Sequence, residues 1–180
     1  MEFHTEILRT IAREMGPTVY VELGVHEAYT LKAILPFAAE AYACDVKKFS
    51  HLIPPQYVGR VKDFSGTTTN DFAEKWKNEI QKDIDLIFID ADHSKEAVYK
   101  DISNFWPYLK PDTGLMVLHD MWPPTPSHVD PGYCGDGFLI KNKIKKHFHD
   151  LEFISLPLQF GLGIMRKIGK DWRNGNMDSK

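Results

Sequence analysis

A chain of 180 residues, 43% hydrophobic and 26% charged, has the composition of an ordinary globular protein and can bury a sizeable core. A net charge of −3 with no basic run and no acidic tail gives no support to nucleic acid or to a basic partner. The first residues show neither a charged nor an apolar leader pattern, and no apolar stretch is long enough to span a bilayer, so no membrane partner is expected. Cys44 and Cys134 are too few for a disulfide framework. A reducing cytoplasm is therefore expected, with Cys44 as a small buried hydrophobe.

Residues 3–14 place Ile7, Leu8 and Ile11 at helical spacing, and Gly16-Pro17 stops that helix. Val19 to Leu23 reads as a short buried strand, followed by Gly24 and a helix over 28–37. Residues 40–45 read as a second strand ending on a carboxylate. After the break at Pro54-Pro55, residues 57–62 form a weak third strand. Thr67 to Asn70 supply N-cap candidates for a helix over 71–82, with Phe72, Trp76 and Ile80 on its apolar face. The run from Leu86 to Ile89 is a fourth strand, apolar enough to be buried on both faces. Ser94 caps a helix over 95–108, and Leu115 to Leu118 form a fifth strand. A long Pro-, Gly- and His-rich loop follows, then a basic helix over 138–148. Residues 151–156 and 160–165 read as two strands whose short link permits only antiparallel pairing. Residues 167–180 are polar and expected to fray. This alternation predicts an α/β fold, a mostly parallel sheet with helices on both faces and a closing antiparallel hairpin.

In such sheets the chemistry gathers where the carboxyl ends of the strands meet the helices. The first turn, Glu22-Leu23-Gly24, has one glycine and lacks the spacing of a dinucleotide fingerprint. Asp45 could accept the hydroxyls of a ribose or merely cap a turn. Asp63-Phe64-Ser65 could flank a purine or be an ordinary loop. Asp90 and His119-Asp120 end two strands expected to be neighbours, close enough to clasp one cation or to bond helix N-termini. An imidazole in the set favours Mn²⁺, Fe²⁺ or Zn²⁺ over Mg²⁺ or Ca²⁺. His93 stands at the mouth as a base or a helix cap, and Asp92 has at most a supporting part. His26, His128, Asp130, Tyr133 and Asp136 could touch a ligand, with a solvated loop as the simpler reading.

In this order Val-Glu-Leu-Gly at 21–24, Asp45, Ile-Asp-Ala-Asp-His at 89–93, Lys-Pro-Asp-Thr-Gly at 110–114 and Val-Leu-His-Asp at 117–120 resemble a class I S-adenosylmethionine (SAM)-dependent methyltransferase. Within that class the pattern looks similar to the metal-dependent O-methyltransferases of the catechol, caffeoyl-CoA and macrocin types. The resemblance implies a Rossmann-like methyltransferase domain over 1–166, opened by a helix over 1–16, with strand order 3-2-1-4-5-7-6. It implies SAM held by Glu22, Gly24, Asp45, Phe64, Ser65 and Asp90, and a divalent metal, Mg or Mn, held by Asp90, His119 and Asp120. His93 would be the base in a direct methyl displacement onto a small hydroxylated acceptor, a sugar or catechol-like diol, and a homodimer is compatible with it. Two residues depart from the pattern. Ala28 replaces the last glycine of the first turn, and His119 stands where a carboxylate is usual. A nicotinamide-dependent oxidoreductase, a cofactor-binding module without catalysis and a metal-dependent hydrolase are the competing readings.

Overall fold

The computed structural model describes residues 3–169. Seven strands form one sheet: β1 (Val19–Leu23), β2 (Glu40–Asp45), β3 (Val61–Ser65), β4 (Leu86–Ile89), β5 (Leu115–Leu118), β6 (Leu151–Leu156) and β7 (Leu162–Lys167). Their order is β3-β2-β1-β4-β5-β7-β6, the predicted one. β1 to β5 pair in parallel, and β7 runs antiparallel to both β5 and β6. Every residue of β1 and β4 is buried, because both faces of the sheet are covered.

The helices are α1 (Phe3–Met15), α2 (Tyr29–Ile34), α3 (Thr69–Lys75), α4 (Lys95–Phe105) and α5 (Lys141–His147). Leu8 and Ala12 of α1 and Leu31 and Ile34 of α2 pack on one face, against Tyr20, Ala41, Leu86, Phe88 and Val117. Phe72 of α3, Val98, Ile102 and Phe105 of α4 and Ile144 of α5 pack on the other, against Val21, Leu23, Ile87, Ile89 and Leu118. This alternation follows from strand geometry, since successive side chains point to opposite faces.

Several boundaries differ from the sequence reading. The third strand is Val61–Ser65 rather than 57–62, because Pro54 and Pro55 set up a 3-10 turn through Tyr57. The helix begun at Thr69 ends at Lys75 and continues as one π turn to Ile80, closed by Gln81 in the left-handed region. The helix expected over 95–108 tightens into a 3-10 turn at Trp106–Tyr108. The basic helix starts at Lys141, after a 3-10 turn at Gly137–Ile140. The last strand starts at Leu162, because Leu158 to Gly161 close a turn in which the Gly161 N–H donates to the Leu158 carbonyl at 2.7 Å. The expected fray does not begin at Lys167, which ends β7, and the N–H groups of Ile168 and Gly169 bond Asp150 and Asp112. The rest of that polar stretch lies outside the described residues.

Candidate active site

Register brings the candidate residues together. Leu23 pairs with Ile89 and Ile89 with Leu118, so the next residues, Gly24, Asp90 and His119, leave the sheet side by side. Asp45 pairs with Ser65 on the adjoining edge.

The first turn is held by Asp45. Its Oδ2 accepts the Val25 and His26 N–H groups at 2.8 Å each, and its Oδ1 accepts the Lys47 N–H at 2.7 Å. In this structure Asp45 therefore shapes the turn, with Oδ1 the less used oxygen. His26 and Ala28 both adopt positive φ, 46° and 58°, a region L-residues enter at a cost. Ala28 thus accepts a conformation that suits glycine, and its methyl is buried. Gly24 has φ 85°, and a Cβ there would overlap the Asp90 carbonyl. Its small size admits the end of β4, where the Asp90 N–H donates to the Leu23 carbonyl at 2.8 Å.

Glu22 lies beneath the turn, 1% exposed, and accepts the Tyr20 hydroxyl at 2.5 Å. Burial raises its carboxyl to about 8, against the opposing bond from Tyr20. Phe64 packs at a tilt against Phe72, with ring centres 4.6 Å apart, beneath the Lys75 ammonium. The Ser65 hydroxyl lies 3.3 Å from that of Ser50.

The second half of the site is a charge cluster. His119 Nδ1 lies 3.0 Å from Asp90 Oδ1 and 3.3 Å from Asp120 Oδ1. His93 Nδ1 lies 3.0 Å from Asp120 Oδ2, and its Nε2 lies 3.5 Å from Asp90 Oδ1. Burial alone would raise Asp90, but the imidazoles of His119 and His93 hold it at about 2. The Asp90 bond raises His93 to about 9 against burial. Burial opposes the charged form of His119, yet Asp120 and Asp90 raise it to about 10. Asp120 reaches the cluster through a left-handed backbone at φ 58°.

Asp90, His119 and Asp120 each offer one ligand atom, all within 4.8 Å of one another. Ligand atoms about 2.1 Å from one cation lie up to about 4.2 Å apart, so a slight inward turn suffices to clasp it. Two carboxylates and an imidazole form a mixed oxygen–nitrogen set that suits Mn²⁺, Fe²⁺ or Zn²⁺ better than Mg²⁺. Asp92 stays outside the set and accepts the Ser94 N–H at 2.8 Å, as a turn residue.

Sequence reasoning missed two neighbours, His4 and Cys134, and in Tyr133 it named the residue but not the carbonyl that takes part. His4 of α1 is buried, and its ring centre lies 4.2 Å from that of His119. Its signal was present, because it continues the Leu8–Ala12 stripe of the helix with a polar residue. The Tyr133 carbonyl contacts His93 Nδ1 at 2.5 Å, a backbone contact that no side chain announces. Cys134 lines the same small cavity as Asp90, His93, His119 and Asp120. Burial and the Asp120 charge push its thiol up to about 12, so it is a neutral wall. His26 is exposed at the first turn, and the side chains of Asp130 and Asp136 are engaged with loop and helix N–H groups.

Residues 21–121 match a family described as a methyltransferase domain, more than half of the chain. No curated protein matches it in sequence. The O-methyltransferase TomG from Streptomyces achromogenes, involved in tomaymycin synthesis and solved with SAM, is 13% identical; the alignment covers 92% of this chain and 80% of that one, with a TM-score of 0.72. An O-methyltransferase from Bacillus cereus solved with SAH is 15% identical, covering 94% and 82%, with a TM-score of 0.73. The SAH-bound methyltransferase PaMTH1 of Podospora anserina is 16% identical, covering 92% and 78%, with a TM-score of 0.68. These three share the fold. With the sequence match running from β1 to just past His119-Asp120, the chain belongs to the methyltransferase-domain family and carries the class I methyltransferase fold.

Proposed function

We propose that the protein is a SAM-dependent O-methyltransferase that uses a divalent metal and methylates a small hydroxylated acceptor, such as a sugar or a catechol-like diol. The observation that carries this reading is the convergence of Asp90, His119 and Asp120 directly beside the Gly24 turn. The names of the structural relatives support it, since those proteins are O-methyltransferases solved with SAM or SAH.

In this reading Gly24 and Glu22 serve the methionine end of SAM, Asp45 the ribose, and Phe64 and Ser65 the adenine. Asp90, His119 and Asp120 would hold the metal, which when bound lowers the pKa of a coordinated hydroxyl. His93 takes the acceptor proton in its neutral form, a state that requires the Asp90 and Asp120 charges to be engaged elsewhere. The acceptor oxygen then forms its bond to the methyl carbon as the carbon–sulfur bond breaks, leaving a methyl ether and SAH. The proposal includes a cytoplasmic location, since two cysteines form no disulfide framework, and a small-molecule partner, with no nucleic acid or membrane. A homodimer belongs to the same proposal. Among the described residues no helix is long and apolar enough to cross a membrane.

Calorimetric titration of SAM, SAH and NAD, with and without Mg²⁺ or Mn²⁺, tests the reading. Binding of SAM and SAH but not NAD is expected, and binding of neither would overturn it. Asp90→Ala is expected to abolish Mn²⁺ binding; unchanged Mn²⁺ affinity would remove the metal assignment.

A further inference from the structure

The loop between β5 and α5 is built around His93. The Asp130 carbonyl accepts the N–H groups of Tyr133 at 2.9 Å and Gly135 at 3.2 Å, and its Oδ1 accepts that of Gly132 at 2.8 Å. The His128 carbonyl accepts the Cys134 N–H at 3.0 Å. These bonds shape a compact turn, and its C-terminal flank docks on the start of α4. The Gly137 N–H donates to the His93 carbonyl at 2.9 Å, and Asp136 Oδ1 accepts the Lys95 N–H at 2.8 Å. The dock is close. A Cβ at Gly135, whose φ is 58°, would overlap the His93 carbonyl, and one at Gly137 would lie 3.0 Å from it.

The result is a backbone carbonyl, that of Tyr133, 2.5 Å from His93 Nδ1. A carbonyl oxygen only accepts, so Nδ1 must carry a proton in this contact. A ring flip would put a carbon against that oxygen and lose the bond. Asp120 Oδ2, at 3.0 Å from the same nitrogen, reinforces the orientation. We infer that residues 130–137 are a positioning clamp for His93: they hold its Nδ1–H on the Tyr133 carbonyl and thereby present Nε2 to the site. Gly135 is the residue that permits the clamp to close. The Tyr133 side chain takes no part, since it is 61% exposed and only its carbonyl is used. The inference rests on the O-methyltransferase reading for the use to which Nε2 is put; the clamp itself rests on the geometry alone.

Nitrogen-15 NMR of the histidine rings tests it. The wild-type chain is expected to show a slowly exchanging Nδ1–H for His93, told apart from that of His119, whose Nδ1 is bonded to Asp90, by its loss in His93→Gln. Gly135→Ala is expected to lose that signal to exchange with water, while Tyr133→Ala keeps it. Asp136→Ala, which removes the bond to the Lys95 N–H without adding bulk, is expected to lose it as well and decides the matter if Gly135→Ala does not fold. Persistence of the signal in either folded loop variant would overturn the clamp, as would its loss in Tyr133→Ala. A parallel SAH titration separates the two levels: failure of SAH to bind the wild type counts against the methyltransferase reading and leaves the NMR result to judge the clamp.

Discussion

At the scale of single residues, Gly24 shows how little room the catalytic edge leaves. Its missing side chain admits the Asp90 carbonyl, and its φ of 85° is one that L-residues avoid. Gly24→Ala combines overlap with backbone strain and is expected to destabilise the protein by about 3 kcal/mol or more, read from urea unfolding. Asp101 carries a different kind of cost. It is 1% exposed, one of its carboxyl oxygens has no partner among the described residues, and burial raises its pKa to about 6 against a bond from Thr69. A folded-state value above the unfolded one means that the carboxyl favours the fold below about pH 4, and that this contribution is lost as pH rises through about 6. Asp101→Asn should therefore be more stable than wild type at pH 8, by on the order of 3 kcal/mol in urea unfolding, with the gap closing towards pH 4. Asp90, His119 and Asp120 were legible in the sequence because each follows an apolar strand. Tyr133 was not, since its contribution is a carbonyl, and Asp101 was hidden in an otherwise ordinary helix.

At the scale of elements, the start of α3 is a reciprocal cap. Thr68 Oγ1 accepts the Asp71 N–H at 3.1 Å and donates to Asp71 Oδ2 at 2.7 Å. Thr68→Ala is expected to cost about 1 kcal/mol in thermal unfolding, because an N–H of the first turn loses its partner. Buried strands such as β1, β2 and β5 were legible as apolar runs, since covering both faces leaves no polar alternation to obscure them. β3 was misplaced for the converse reason. It is an edge strand with Val61 alone fully buried, so its composition resembles that of a loop. The π turn at Trp76–Ile80 has no sequence signature of its own; it keeps Trp76 facing Tyr42 and Phe105 beyond the end of α3.

At the scale of the whole molecule, the strand order followed from the chain alternation together with the family resemblance. The closure of the β5–α5 loop over the site did not, because it depends on backbone contacts between distant segments. Ligand binding to the folded state alone stabilises it by mass action. SAH at a hundred times its dissociation constant is therefore expected to add about 2.7 kcal/mol, seen as a rise in melting temperature. Absence of any rise at saturating SAH would count against the cofactor half of the proposed site.

The place of β7 has a consequence for the order in which the protein is made. It is the final strand among the described residues, yet it lies inside the sheet, between β5 and β6. During synthesis from the N-terminus, β5 emerges with its outer edge bare and keeps it bare until the chain has passed Lys167. His119 and Asp120 sit at the tip of that edge, and the Met121 N–H finds its partner, the Gly161 carbonyl, only when the hairpin arrives. Between Leu118 and Leu162 the nascent chain thus carries an apolar strand with one bare edge, a state that invites pairing with the wrong chain.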